Sequence, residues 1–117
     1  MTARVRRPVR PGHATEAPAQ AEIIAACRAR GWRVQRVVAG KARGGKVRMA
    51  EDGHPDVAVF PGSGVVAFLE VKSSSGEPSD AQLGWAARER PRGYVVEFVR
   101  TADEALAAVE RAIRGAK

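Results

Sequence analysis

A chain of 117 residues, 44% of them hydrophobic, is enough for one packed domain and leaves no room for a catalytic domain beside a separate recognition domain. The formal charge is +7, and Arg4, Arg6, Arg7 and Arg10, all ahead of the first acid Glu16, account for four of those seven charges; this balance favours a polyanionic partner, most simply nucleic acid. Cys27 is the only cysteine, which excludes an internal disulfide framework and points to a reducing, cytoplasmic compartment, and no segment has the length and apolarity of a membrane span or a secretory signal.

In chain order, residues 1–13 carry Pro8 and Pro11-Gly12 among the arginines and read as a basic flexible arm, with residues 14–117 as the folded domain. The arm's Arg-rich, acid-poor composition also resembles an organellar transit peptide, a reading ranked below a phosphate-binding or disordered tail. Thr15 can cap a helix running to about Arg30, with Pro18 in its first turn and Gly31 as its stop. Ile23, Ile24 and Cys27 form the core stripe of that helix, which makes Cys27 a small core residue, and Glu16 and Gln20 share another stripe. Trp32 to Val38 reads as a strand. The stretch from Ala39 to Gly53, with Lys41, Arg43, Lys46 and Arg48, reads as a long basic loop that at most briefly extends the sheet.

Val57 to Phe60 and Val65 to Val71 are apolar strands joined by the turn residues Pro61-Gly62-Ser63-Gly64. The chain then passes through Ser73-Ser74-Ser75-Gly76 to Ser79-Asp80-Ala81-Gln82, which fits a capping box opening a helix that ends before Pro91. Tyr94 to Val99 is a further strand. Thr101-Ala102-Asp103-Glu104 is a second capping box, and Leu106, Val109 and Ile113 mark one face of a last helix. The order is α-β-β-β-α-β-α, in which a helical crossover joins two parallel strands in a mixed sheet.

The chemistry concentrates at Gly53-His54-Pro55-Asp56 and Glu70-Val71-Lys72. Alternation puts Glu70 and Lys72 on one strand face, and folding the hairpin back brings Asp56 beside Glu70, opposite or diagonal to it. Two close carboxylates repel unless a cation lies between them, and an oxygen-only pair suits a hard ion such as Mg²⁺. A cross-strand Glu–Lys pair on a solvated face is the structural alternative; the apolar run around these residues argues for burial instead. His54 is expected to line the groove or meet solvent, and Trp32 and Trp85 to serve packing more than base stacking.

The ordered series of Glu16 and Gln20, Gly31-Trp32, Arg36 and Gly40, Gly53 through Asp56, Glu70 through Lys72, Ser79 and Gln82, and Arg100-Thr101 resembles the PD-(D/E)XK nuclease superfamily, and within it the virus-type replication-repair nuclease family, VRR-NUC. The resemblance covers the chain from about residue 15 to about residue 105. It implies an α/β, restriction-endonuclease-like αβββαβ core, with a mixed central sheet flanked by helices and a C-terminal helix added. It further implies that Asp56, Glu70 and the Val71 main-chain carbonyl ligate Mg²⁺, for which Mn²⁺ would substitute. Lys72 would then orient or deprotonate the attacking water, or neutralise charge at the phosphorus. Glu16 would be a supporting or second-metal ligand, with Glu22 the competing choice at a poorer spacing to Gly31. Gln82 would brace the lysine or a metal-bound water, serve as capping partner of Ser79, or do both in part.

The expectation is a Mg²⁺-dependent DNA endonuclease, bacterial or phage-encoded, that selects branched or junction DNA in replication, repair or recombination. Lys41, Arg43, Lys46, Arg48, Arg36 and the four arm arginines would supply phosphate contacts, with no small-molecule substrate and no membrane. One such site cuts one strand, so paired cuts require a homodimer. The rival readings are a non-catalytic nucleic-acid-binding module on a nuclease scaffold, and a nuclease subunit of a larger complex.

Overall fold

A computed structural model describes residues 16–37, 40–41 and 48–116, with side chains described for 17–37 and 51–116. The elements are α1 (Glu16–Ala29), β1 (Arg33–Arg36), β2 (Gly40–Lys41), β3 (Arg48–Ala50), β4 (Val57–Gly62), β5 (Val65–Val71), α2 (Asp80–Glu89), a 3-10 turn (Arg90–Arg92), β6 (Val95–Val99) and α3 (Ala102–Gly115). The main sheet has the order β1-β4-β5-β6, antiparallel except for the β5–β6 pair, which is parallel across the α2 crossover. This is the mixed α/β architecture that the sequence implies.

Local chemistry sets the element ends. Gly31, at φ +81, ends α1 with Gly31 N–H donating to Arg28 O and Trp32 N–H to Cys27 O, a paired closure that needs a left-handed residue after the helix. The hairpin turn is tighter than the Pro61–Gly64 span suggests: Gly62 pairs with Val65, leaving Ser63 and Gly64 at the tip, both at positive φ. A register shift between Val59 and Gly62 places Pro61, which has no N–H to give a ladder, at the irregularity.

The sheet buries both faces unequally. On one face Val34, Val57, Val59, Ala67, Leu69, Val71 and Val99 meet Ile23, Ile24 and Cys27 of α1 and Ala105, Ala108, Val109 and Ala112 of α3. Burying a side chain such as Leu69 or Val57 stabilises by about 1.5–3 kcal/mol, so this layer dominates the fold. On the other face the smaller cluster of Trp85, Ala86 and Val96, with Phe68 and Phe98, seats α2. The alternation of β5 therefore sends Leu69 and Val71 into the main core and Phe68, Glu70 and Lys72 toward the α2 side.

The segment expected to be a basic loop differs from that reading: β2 and β3 form an antiparallel pair of their own, apart from the main sheet. The side chains of Lys41 and Arg48 lie outside the described residues. So do Arg43 and Lys46 entirely, together with the arm residues Arg4, Arg6, Arg7 and Arg10 and the expected cap Thr15.

Candidate active site

Asp56 precedes β4 by one residue, and the register Val57↔Leu69 continues to Asp56 opposite Glu70. The choice between opposite and diagonal thus resolves as opposite. The Val71 N–H donates to Asp56 Oδ2 at 3.3 Å, so this carboxylate reaches across the strand gap over the β5 backbone. The N–H and C=O of one strand residue point to the same side; the Val71 carbonyl accordingly faces the β4 side, where Asp56 stands. Lys72 N–H points the other way and donates to Val99 O at 2.9 Å, extending the parallel ladder one residue beyond β5.

Glu70 is 3% exposed and Lys72 8% exposed, which sets them apart from a solvated surface pair. Burial of two charges requires partners. Gln82, in the first turn of α2, supplies part of that requirement: its Nε2 donates to Glu70 Oε2 at 2.8 Å and its Oε1 accepts from Lys72 Nζ at 3.2 Å. The same Oε1 accepts from Ser79 N–H at 2.9 Å, while Ser79 Oγ accepts from Gln82 N–H at 3.1 Å. One side chain therefore completes the Ser79 capping box and contacts both Lys72 and Glu70. With two donors converging on Oε1 and a carboxylate on Nε2, the amide has only one sensible orientation.

The loop ahead of Asp56 is fitted against α2. Gly53 has φ +85, and a Cβ there would lie 2.1 Å from Ala81 O. Glu51 Oε1 accepts from Trp85 Nε1 at 3.0 Å and from Arg88 Nη2 at 2.8 Å, tying the end of the basic hairpin to the same helix. His54 is half-buried, with its ring 4.8 Å from Trp85 and 5.7 Å from Phe68, and its Nδ1 donates to Pro55 O at 2.9 Å. Packing on the Trp85 ring outcompetes hydration, and His54 belongs to the aromatic seat of α2. Trp85 is buried and Trp32 packs half-buried beside the main core, as packing residues.

Sequence reasoning did not reach the role of Arg100. Its Nη1 donates to the carbonyls of Ser73 and Gly76, and so holds the loop between Lys72 and the α2 cap. Its acceptors are main-chain oxygens, which leave no residue-type signature. Glu104 Oε1 accepts from the Arg100 N–H at 2.7 Å, one residue earlier than a standard capping box would reach.

Asp56, Glu70, Lys72 and Gln82 are thus brought to one place. Glu16 opens α1, and its side chain lies outside the described residues; Glu22 is exposed. Gln20 and Arg36 come together elsewhere, lining with Arg28 a cavity between α1 and the end of β1. Among the described residues no three His, Cys, Asp or Glu side chains cluster. Two carboxylates plus a main-chain carbonyl still fit Mg²⁺, which binds through one or two carboxylates and takes its remaining oxygens from water and substrate.

A solved structure described as a VRR_NUC domain is similar to this chain at TM-score 0.62 and 27% sequence identity, over 82% of this chain and 95% of that one. No family model and no curated protein matches the sequence. The ordered motifs and the fold agree with that likeness, which supports the VRR-NUC resemblance read from the sequence.

Proposed function

We propose that this domain is a Mg²⁺-dependent endonuclease that hydrolyses DNA phosphodiesters and selects DNA by structure, with branched or junction DNA as the preferred substrate. The observation that carries this reading is the buried pair Glu70 and Lys72, both hydrogen-bonded to the half-buried Gln82 and directly across from Asp56. Such a set keeps two carboxylates side by side, one of them buried, an arrangement with little merit for stability alone.

Asp56, Glu70 and the Val71 carbonyl would hold the metal, which when bound lowers the pKa of water and offsets charge on the phosphate. Lys72, fixed as a donor to Gln82 Oε1, would aim its positive charge at the attacking water and at the oxygens of the phosphorus centre. Gln82 fixes Glu70 and Lys72 relative to each other, so neither must reorganise when charge develops. Glu16, Arg36, the basic hairpin with Lys41, Arg43, Lys46 and Arg48, and the basic arm of residues 1–13 complete the proposal as a supporting ligand and phosphate contacts. A homodimer would set two such sites against two strands.

The test is purified full-length chain incubated with linear duplex, flap and four-way junction DNA in Mg²⁺, Mn²⁺ or a chelator. Metal-dependent nicking, strongest on a branched substrate, is expected. Tight DNA binding with no cleavage in either metal would overturn the enzymatic reading in favour of a binding module. Equal cutting of all three substrates would overturn structure selection.

A further inference from the structure

We propose that Arg33 and Gln35 of β1 form a strand-binding track on the sheet face that carries the catalytic groups, holding the nucleic-acid backbone to one side of the scissile phosphate. The proposal rests on the nuclease reading above and adds residues which the motif series does not contain.

Strand parity carries the placement. Asp56, Ala58 and Phe60 alternate onto one face of β4, shared with Glu70 and Phe68 of β5. The β1–β4 register puts Gln35 opposite Ala58 and Arg33 opposite Phe60, so both point to that same face. Val34, between them, is buried in the main core on the other side, and Arg36 follows Val34 in parity, toward the α1 cavity. A motif reading selects Arg36. The geometry of the catalytic face selects Arg33.

Among the described residues, α2 leaves that half of the face uncovered. α2 sits on Val96, Phe68 and Phe98, over the β5–β6 side of the sheet, whereas Arg33 and Gln35 are exposed at its other edge. The Arg33 guanidinium lies 4.4 Å from the Phe60 ring centroid and makes no ion pair among the described residues. Contact with the face of an aromatic ring restrains the guanidinium and leaves donors available to an anion. At roughly 3.4 Å per strand residue, Gln35 stands about 7 Å and Arg33 about 14 Å along the sheet from the level of Asp56. A backbone entering the carboxylate site and crossing toward β1 meets first an amide and then a cation. The absence of a competing carboxylate partner for Arg33 among the described residues makes a phosphate the complementary occupant.

The experiment measures binding of a fluorescent duplex by the full-length Asp56→Asn protein without divalent metal, across a salt series, alongside cleavage by the metal-loaded protein with native Asp56. Added to Asp56→Asn, Arg33→Gln should weaken binding several-fold and shrink the slope of log affinity against log salt by about 0.9, the value for one duplex phosphate left unneutralised. Phe60→Leu, which keeps the charge and removes the ring, should weaken affinity with a smaller change in slope. Arg114→Gln, in the last turn of α3, should leave both unchanged. Affinity and slope unaltered by Arg33→Gln in a protein of unchanged melting temperature would overturn the track, while cleavage by the chain with native Asp56 would leave the nuclease reading intact. Failure of the unmutated chain both to bind and to cut DNA would remove both.

Discussion

Gly53 approaches Ala81 so closely that any Cβ at position 53 would overlap the Ala81 carbonyl, at 2.1 Å from its oxygen and 2.5 Å from its carbon. The neighbouring residue is Gln82, which holds Glu70 and Lys72. Backbone at one end of the Gly53–Asp56 segment thus packs beside the residue whose side chain hydrogen-bonds both Glu70 and Lys72. Gly53→Ala must combine a left-handed backbone with a displacement of α2. It should lower stability by about 1–2 kcal/mol from the backbone conformation alone, with more from the clash, and turnover should fall even where the variant is fully folded. Thermal melting together with cleavage at a temperature well below the transition checks this. Native turnover in a folded variant would show that α2 is not held through this contact.

The shared amide separates two functions by mutation. Ser79→Ala removes the cap acceptor for Gln82 N–H and should cost about 0.5–2 kcal/mol of stability, with turnover within a few-fold of native. Gln82→Ala removes the other half of the capping box and also frees Lys72 and Glu70 from a common partner, so its turnover should drop by about 10²-fold, in the range for a misplaced catalytic group. Equal effects of the two variants on turnover would reduce Gln82 to a capping residue.

Charge removal at the carboxylates can be made nearly isosteric. Asp56→Asn keeps an acceptor for the Val71 N–H, and Glu70→Gln keeps one for Gln82 Nε2. Both should retain the fold and DNA affinity while losing cleavage in Mg²⁺. Lys72→Ala should lower turnover by roughly 10²-fold or more with little change in affinity. Cleavage near the native rate by either carboxylate variant would remove that residue from the metal site, and parallel losses of turnover and affinity in Lys72→Ala would make the lysine a phosphate clamp.

Cys27 offers a probe of the main core. Burial pushes its thiol up from the usual range, against the smaller downward pull of Arg30. The thiolate is the reactive form, so labelling by a disulfide reagent at neutral pH should be slow in the native protein and should accelerate on unfolding in denaturant. Rapid native labelling would mean that α1 opens from the sheet.

The sheet and its helices were legible because their signals are local: alternation in β5, the glycine stop at Gly31, the capping box at Ser79 and the side-chain cap at Thr101 each follow from neighbouring residues. The pairing of Asp56 with Glu70 was legible to within one register step, and the bulge around Pro61 kept the hairpin loop from deciding it. Other features depended on distant partners. The Arg100 clamp ends on carbonyls of Ser73 and Gly76, and the Glu51 tie to Trp85 and Arg88 spans more than thirty positions. The contact of His54 with Trp85 of α2 was not legible either, because an extended-chain reading of Gly53 to Asp56 does not contain that helix. The hairpin β2–β3 was read as loop because two short strands in a glycine-rich stretch carry no periodicity.

The arm and the basic hairpin bear on affinity more than on chemistry. Arg4, Arg6, Arg7 and Arg10 supply more than half of the excess positive charge, and they lie outside the described residues. If they bind phosphates, deleting residues 1–13 should weaken binding to linear, flap and junction DNA by a similar factor. The salt slope should shrink by about 0.9 for each phosphate left unneutralised. Replacing Lys41, Arg43, Lys46 and Arg48 should act differently, because the hairpin leads through Glu51 to the Gly53–Asp56 segment and is fixed to α2 there. Those variants should lose cleavage of the preferred branched substrate more than of linear duplex. Titrations at several salt concentrations, paired with initial rates on each substrate, distinguish the two. An unchanged salt slope after both alterations would assign the basic balance to solubility and leave phosphate recognition to other surfaces.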